Sequence, residues 1–336
     1  MIETAKLNNL VKSCLSSLSS RQKEVLEGRY GIAGLPGQGG EVLTLAELGS
    51  RYSLTRERVR QIEALALKAC AAKAESAEFN DFVKTVSNIL KNSGGVKRED
   101  MLIEEVAGYA QANRLKFLLE ICGKFKHSRD SKDFYPYWYL GETEQKKAGN
   151  FVTSLVKSAD RDDFTASFAS TARNAGLADG VARHYASVSK KVSMNTYGDL
   201  GLSEWAEINP KTARDWAYLV LKKEKQPLHF TEIAKKVSDL RKKQAHAPTV
   251  HNELIKDEKF VLVGKGTYTL KEFGVIPGTA REIISHFIKK NGPMKARDVV
   301  KFVLKERVFK ENTVLINLQN RKNFKRLDDG RYTTLV

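Results

Sequence analysis

The stretch LTLAELGSRYSLTRERVRQIEALALKAC, residues 43–70, decides how the first part of the chain folds. Leu45 and Leu48 fall on one helical face, and Gly49 follows them as a predicted helix stop. Thr55 can then cap a second helix through its hydroxyl oxygen. Apolar residues recur every three or four positions in that helix and predict a stripe facing the core: Val59, Ile62, Ala66 and Ala69.

The opposite face of the second helix carries long polar side chains, namely Arg56, Glu57, Arg60, Gln61 and Lys68. A helix-turn-helix places the amino end of its second helix in the major groove of DNA. There Arg can bridge guanine, Gln can bridge adenine and Glu can accept a hydrogen bond from cytosine. Taken alone, such a charged run is usually a solvated helix face. Combined with the short helix, the turn and the cap, it predicts a helix that reads DNA.

Three motifs carry a resemblance to region 4 of the sigma-70 family: RYGI at 29–32, TLAELG at 44–49 and LTRERVRQIEALAL at 54–67. The resemblance covers residues 18–72, and that family recognises the promoter −35 element. It implies base contacts from Arg56, Glu57 and Gln61. It implies further DNA contacts, mostly to the backbone, from Arg58, Arg60, Thr55, Arg21, Arg29, Thr44 and Leu45.

The same resemblance implies two partners, double-stranded promoter DNA and the RNA polymerase core, through a surface that docks on the flap of the β subunit. The sequence differs from the family pattern at Leu65, where Lys is usual. It also carries nothing that resembles the regions which recognise and melt the −10 element. We therefore do not expect the chain to open promoters by itself.

The overall charge agrees with a polyanionic partner. Lys and Arg number 57 against 40 Asp and Glu, which leaves a net charge of +17. Such an excess is typical of proteins that bind nucleic acid or an acidic membrane surface, although a soluble protein can simply be basic. No apolar run is long enough to span a membrane and no signal peptide is apparent, so we expect a cytoplasmic, nucleoid-associated protein without membrane contact.

Residues that could bind a metal or take part in catalysis are scattered along the chain. Cys14, Cys70 and Cys122 are odd in number and far apart, which fits neither a disulfide framework nor a zinc site and predicts buried free thiols. The six histidines form no metal-ligand spacing, and no catalytic arrangement stands out. We expect no metal, no cofactor and no enzymatic activity.

The rest of the chain shows a loose repeat of three helices followed by alternating apolar residues. FVLVGKGTYTL (260–270) and FKRLDDGRYTTL (324–335) each alternate around a turn and predict β-hairpins. The predicted fold is mainly α, a helix-turn-helix followed by several winged-helix domains with short β-hairpin wings. The expected domains are 1–79 (region 4-like), 80–145 (winged-helix-like), 146–207 (degenerate winged helix), 208–274 (winged helix) and 275–336 (basic winged helix).

A second resemblance covers residues 212–272. ARDWAYLVLKKEKQPLHFTEIAKKV followed by FVLVGKGTYTL is similar to the HARE-HTH family, a winged-helix regulator and adaptor found in the δ subunit of bacterial RNA polymerase. Residues 277–336 resemble it more weakly and carry a basic wing, which is either a phosphate-contact surface or a solvated hairpin: Lys322, Lys325, Arg326 and Arg331.

These observations give one hypothesis and two alternatives. The hypothesis is a sigma-like transcription factor that recognises −35-type promoter DNA and associates with RNA polymerase in initiation or its regulation. The first alternative is a polymerase-independent repressor or nucleoid protein. The second is a scaffold whose winged helices bind only proteins. Trp138, Trp205 and Trp216 are expected to pack in cores or hairpins rather than to stack on bases.

Overall fold

The computed structural model describes residues 2–33, 40–276 and 278–335. Within these ranges sixteen α-helices make up most of the structure, which confirms the predicted mainly α fold class. The helices are α1 (Thr4–Leu15), α2 (Ser20–Tyr30), α3 (Leu45–Tyr52), α4 (Arg56–Ala74), α5 (Ala77–Asn92), α6 (Glu99–Val106), α7 (Ala112–Ile121), α8 (Glu142–Ser158), α9 (Phe164–Asn174), α10 (Asp179–Ser187), α11 (Ala213–Glu224), α12 (Phe230–Arg241), α13 (Ala247–Lys256), α14 (Ala280–Asn291), α15 (Ala296–Glu306) and α16 (Glu311–Leu318).

The strands are short and antiparallel. They are β1 (Val96–Arg98), β2 (Lys126–Ser128), β3 (Tyr137–Tyr139), β4 (Val192–Met194), β5 (Leu200–Leu202), β6 (Leu228–His229), β7 (Phe260–Gly264), β8 (Thr267–Leu270), β9 (Met294–Lys295), β10 (Phe324–Arg326) and β11 (Arg331–Thr334). The predicted hairpins at 260–270 and 324–335 are present as β7–β8 and β10–β11.

One winged-helix arrangement occurs three times along the chain. A helix, a short strand and two more helices lead to a hairpin, and the last strand of the hairpin pairs with the short first strand. The three sheets accordingly have the orders β1-β3-β2, β6-β8-β7 and β10-β11-β9. The first strand of each hairpin is therefore always an edge strand.

The segment 146–207 departs from this arrangement. Helices α8, α9 and α10 lead directly to the two-stranded β4–β5 sheet, and the described residues between α8 and α9 form no strand. The five expected domains stay predictions. The boundary expected after residue 79 lies inside α5.

The described residues form two compact units: Met1–Ser193 with Leu200–Ser203, and Met194–Asp199 with Glu204–Val336. In the first unit one apolar core runs from α1 to β3. Leu7 and Cys14 of α1, Cys70 of α4, Phe82 of α5 and Trp138 of β3 all belong to it. The helix-turn-helix and the winged helix that follows it thus bury their apolar faces against each other.

The cysteines are free, as predicted. Cys14 and Cys70 are buried, and Cys122 is half-buried. The Cys70 thiol lies 3.7 Å from the backbone carbonyl oxygen of Cys14, which joins α4 to α1. Burial raises the pKa of Cys122 to about 12, so this thiol stays protonated at neutral pH.

In the second unit two winged helices each have a core of their own. The winged helix from α11 to β8 packs around Leu221, Val237 and Leu270, and the last one packs around Ile284 and Val303. Such clusters arise because each amphipathic helix buries one apolar stripe. No helix in the described ranges is long and apolar enough to cross a membrane.

The loop after α15 joins these two winged helices. The guanidinium of Arg307 is buried and donates to the carbonyl oxygens of Leu262 (2.8 Å) and Ile276. The backbone N–H of Val308 donates to the carbonyl oxygen of Val263 at 3.2 Å. Because β7 is an edge strand, the bonds to Leu262 and Val263 satisfy backbone groups that its sheet leaves open.

Candidate nucleic-acid interface

Two capped helices and a tight turn build the helix-turn-helix. The side chain of Thr44 caps α3 by accepting from the backbone N–H of Glu47, and the Glu47 carboxylate accepts in return from the backbone N–H of Thr44. The hydroxyl of Thr55 accepts from the backbone N–H of Arg58 at 3.2 Å and starts α4 as predicted. Both helices are therefore fixed at their amino ends by local hydrogen bonds.

Gly49 does not end α3, so the predicted helix stop is wrong at this position. The helix continues to Tyr52, and Ser53 closes it in the left-handed region with φ 54°. Gly49 is needed for another reason. A Cβ atom there would lie 2.6 Å from the carbonyl oxygen of Leu54, whose backbone N–H donates to the Gly49 carbonyl at 2.8 Å. The residue allows the two helices to approach closely.

A small apolar core fixes the angle between the helices. Val25 of α2, Leu48 of α3 and Val59 of α4 are fully buried against each other. Half-buried side chains surround them: Leu43, Leu45, Tyr52, Leu54 and Ile62. Leu45, which the resemblance places at the DNA backbone, thus also packs against this core.

The buried stripe of α4 differs from the expected one at its carboxyl end. Val59, Ile62 and Ala66 face the interior as predicted, but Ala69 is exposed and Cys70 takes the buried position. The stripe continues with Ala74. A helix turn of 3.6 residues shifts the buried face around a long helix, so a spacing of four replaces the expected three.

The amino-terminal half of α4 presents its polar side chains to solvent. Arg56, Glu57, Arg58, Arg60 and Gln61 are all exposed. Four of them are also paired along the helix. The guanidinium of Arg60 donates to both carboxylate oxygens of Glu57 at 2.7 and 2.8 Å, and Arg58 donates to the side-chain oxygen of Gln61 at 3.2 Å. The face has the residue types that read base edges, and none of the five is covered by another part of the unit.

Electrostatics on this face follow from the pairing. The hydrogen bond from Arg60 holds the pKa of Glu57 below its ordinary value, and the bond to Glu57 raises the pKa of Arg60. Both groups therefore carry full charge near neutral pH. The face is a mixed array of three cations, one anion and one amide rather than a uniformly basic strip.

The residues expected to contact the DNA backbone lie around this face, and some of them already have partners within the protein. The Arg21 guanidinium lies 4.4 Å from the ring centroid of Tyr52 and also contacts the Glu24 carboxylate at 3.2 Å. Arg29 is half-buried and bonds to the Glu63 carboxylate and to the carbonyl oxygen of Leu43, both at 3.2 Å. Arg29 therefore braces α2 against α4.

A buried carboxylate lies beside the helix-turn-helix, and no sequence motif points to it. Glu99 accepts from His127 at 2.8 Å, from Trp138 at 3.2 Å and from Lys116 at 2.5 Å. Burial alone would raise the pKa of Glu99, but the hydrogen bonds from His127 and Lys116 outweigh it and lower the pKa to about 2. These residues line a cleft of about 700 Å³ that also includes Arg29.

Sequence spacing does not reveal this network, because its four members come from four separate elements, α6, α7, β2 and β3. Trp138 is buried, in agreement with its expected packing role. Trp205 and Trp216 are half-buried. Among the described residues, no group of three or more His, Cys, Asp or Glu is arranged to hold a metal ion.

Comparison with known proteins agrees with the geometry of the first unit. Residues 14–72 match the family Sigma-70, region 4. The chain is 36% identical over 84 residues to RNA polymerase sigma factor SigA1 of Synechococcus elongatus, which covers 24% of this chain and 20% of that protein. It is 35% identical over 74 residues to SigA of Nostoc sp. (22% and 18%) and 35% identical over 78 residues to SigA of Listeria monocytogenes (23% and 20%).

The match thus spans about a fifth of the length of these relatives. The family match at residues 14–72 includes the capped turn, the small core and the polar face of α4. The predicted resemblance is confirmed for this part of the chain: residues 14–72 are a sigma-70 region 4 domain.

Proposed function

We propose that this chain is a transcription factor that recognises −35-type promoter DNA through α4 and acts with RNA polymerase in initiation or its regulation. One observation carries the proposal. The amino-terminal half of α4 exposes Arg56, Glu57 and Gln61 on a helix that Thr55 caps and Val59 anchors. This combination is what a recognition helix needs to enter the major groove with defined side chains.

In the proposed complex, Arg56, Glu57 and Gln61 read base edges. Arg58 and Arg60 hold the phosphates, together with residues at the start of α2 and α3 such as Arg21 and Thr44. Glu57 and Gln61 must then release Arg60 and Arg58, their partners in the free protein. These side chains are exposed, so water and phosphate can take the place of the released partners.

The proposed second partner is the RNA polymerase core, with the β flap as the docking element. The relatives to which the chain is similar over 74 to 84 residues are RNA polymerase sigma factors. The resemblance of residues 212–272 to the HARE-HTH family points to the same machinery. We propose that these winged helices act as adaptors, that the protein works in the cytoplasm at the nucleoid, and that its role is binding rather than catalysis.

Binding to labelled duplexes tests the DNA half of the proposal. Fluorescence anisotropy should give a lower Kd for a duplex with a −35 element than for a duplex with that element scrambled, at a fixed salt concentration. Equal Kd values would contradict promoter recognition. Duplex affinity that does not fall as salt rises would favour the protein-scaffold alternative, because phosphate contacts release counterions.

Co-purification tests the polymerase half. The tagged chain should retain core polymerase subunits from cells of its own host after nuclease treatment, which removes bridging DNA. A chain that binds the −35 duplex selectively but retains no polymerase would be a polymerase-independent repressor or nucleoid protein.

A further inference from the structure

The last winged helix carries most of its positive charge without partners. Residues 273–336 contain fourteen Lys and Arg against six Asp and Glu, a net charge of +8. Among the described residues 278–335, Arg331 forms an ion pair with Asp329, and Arg307 is hydrogen-bonded to two carbonyl oxygens. In the preceding winged helix, by contrast, Arg214, Lys222 and Lys236 each contact a carboxylate.

Four of these cations are concentrated between α16 and the end of β10. Arg321, Lys322, Lys325 and Arg326 are all exposed, and none has an ion pair within the described ranges. The corresponding segment of the preceding winged helix, between α13 and the end of β7, has Lys259 together with Asp257 and Glu258. In the first winged helix the corresponding segment, between α7 and the end of β2, has Lys124 and Lys126. The last winged helix therefore carries the largest number of cations at this place.

The backbone that carries the four cations is well fixed. Phe324 is buried in the core of the last winged helix, and the side-chain oxygen of Asn320 accepts from the backbone N–H of Lys322 at 3.0 Å. The backbone N–H of Leu335 donates to the carbonyl oxygen of Asn323 at 2.9 Å and closes the hairpin. A firmly held protein backbone that carries flexible basic side chains suits the phosphate backbone of DNA, which presents charge at regular intervals.

The neighbouring helix lacks the side chains for the commonest base contact. Between Glu311 and Leu318, helix α16 has no Arg or Lys, and its exposed polar side chains include Asn312 and Thr313. Bidentate Arg or Lys contacts to guanine are therefore absent from this helix.

We propose that the wing of the last winged helix is a second DNA-binding surface, which holds the sugar-phosphate backbone of duplex DNA through Arg321, Lys322, Lys325 and Arg326 without selecting sequence. The proposed function already includes duplex DNA as a polyanionic partner of this chain. In that respect the inference rests on the proposed function. The surface adds affinity for any duplex, and α4 adds sequence preference.

A structural explanation of the same charges exists. Because β10 is an edge strand of its sheet, Lys325 and Arg326 there also discourage pairing with the edge of another molecule. This explanation predicts self-association when the charges are removed and no change in DNA affinity of the remaining monomer. The two explanations therefore have different measurable outcomes.

The test uses the full chain and two variants that each lose four positive charges. The wing variant combines Arg321→Gln, Lys322→Gln, Lys325→Gln and Arg326→Gln. The control variant combines Lys235→Gln, Lys243→Gln, Lys256→Gln and Lys265→Gln, four exposed cations of the preceding winged helix without ion pairs in the described residues. Thermal melting and sedimentation verify that both variants are folded and monomeric.

Anisotropy titrations with a 30-bp duplex of random sequence, at several salt concentrations, give the affinity and its salt slope. Each phosphate contact removed by substitution should reduce the slope of log K against log [salt] by about 0.9, so we expect the wing variant to be shallower by about 2 to 4. Its Kd near 0.1 M salt should rise ~10-fold or more, while the control variant stays close to the unmodified chain.

Three results would overturn the proposal. The first is an equal loss of affinity in both variants, which would make the effect one of net charge. The second is unchanged affinity together with self-association, as edge protection predicts. The third is tighter binding of a 30-bp RNA duplex than of DNA, which would assign the wing to RNA.

Failure of the proposed function has a different signature. In that case the unmodified chain would show no preference for a −35 duplex over a scrambled one, whatever the wing variant does. If both proposals hold, the wing variant loses affinity for the two duplexes by the same factor and keeps their ratio.

Discussion

Arg60 binds both carboxylate oxygens of Glu57 from one turn further along α4, at 2.7 and 2.8 Å. The pair lies in the middle of the face that we propose to read DNA. It fixes the direction of both side chains in the free protein, and it keeps a negative charge on an otherwise basic surface. Recognition by α4 is therefore an exchange of partners, in which DNA takes the place of contacts within the helix.

Replacing a base-reading side chain should relax sequence preference at one position. For Gln61→Ala or Arg56→Ala we expect a loss of roughly 1–3 kcal/mol for the preferred duplex and little change for a scrambled duplex. Arg60→Ala is the comparison, because removing a phosphate-binding side chain weakens binding to all sequences about equally. Anisotropy with a set of single-base-pair variants measures both effects. A uniform loss in all three variants would contradict direct base reading.

The helix register of α4 can be tested with two substitutions by aspartate, one at a buried position and one at an exposed position. Val59 is fully buried against Val25 and Leu48, whereas the Leu65 side chain on the same helix is 59% exposed. Val59→Asp should lower the free energy of unfolding by at least about 3 kcal/mol, because it buries an unpaired charge. Leu65→Asp should change it by less than about 0.5 kcal/mol. Urea unfolding followed by circular dichroism measures both; similar unfolding curves for the two variants would contradict the register.

The network around Glu99 should make the first unit sensitive to acid. The pKa of Glu99 is about 2 in the folded protein against an ordinary value of 4.5. A lowered folded-state pKa stabilises the protein above the unfolded-state pKa, so this contribution is complete above about pH 4.5 and is lost as the pH falls towards 2. The shift corresponds to about 3 kcal/mol.

Glu99→Gln removes this titration and leaves a side chain of similar size. The free energy of unfolding, measured in urea at about pH 7, 4 and 3, should therefore fall less steeply with acid in the variant than in the unmodified chain. The variant should also be less stable at neutral pH, since Lys116 loses its carboxylate partner. Parallel pH profiles for the two proteins would show that Glu99 does not carry the effect.

Arg307 should hold the two winged helices of the second unit together. Arg307→Ala leaves the carbonyl oxygens of Leu262 and Ile276 without this donor, at a cost of about 3 kcal/mol for two bonds to a charged group. Amide hydrogen exchange should rise in β7 and at residues 307–309. The control is Arg297→Ala, which removes an exposed arginine of α15. Exchange in β7 that is unchanged by Arg307→Ala would refute this role.

Local features of the region 4 domain can be predicted from the sequence because their causes are local. The cap at Thr55, the buried positions of Val59 and Ala66 and the exposure of Arg56 and Gln61 follow from helix periodicity and hydrogen-bonding capacity. The hairpins around Lys265 and Gly330 follow from alternation and turn residues for the same reason.

Features that depend on packing between distant segments cannot be predicted in this way. The sequence pattern predicts a helix end at Gly49, but the role of this residue depends on where the Leu54 carbonyl arrives after the turn. The burial of Cys70 in place of Ala69 depends on α1, which contacts α4 in the shared core. Glu99 and Trp138 are 39 residues apart and meet only once the winged helix has folded.

The continuous core from α1 to β3 has a practical consequence for anyone who wants to move this DNA-reading module into another protein. A fragment that stops at residue 79 would leave Leu7 and Leu10 of α1 facing water, since Phe82 and Leu115 of the same core would be missing. Such a fragment should aggregate or unfold even though its recognition helix is intact. A transferable fragment therefore has to extend at least to Tyr139 at the end of β3.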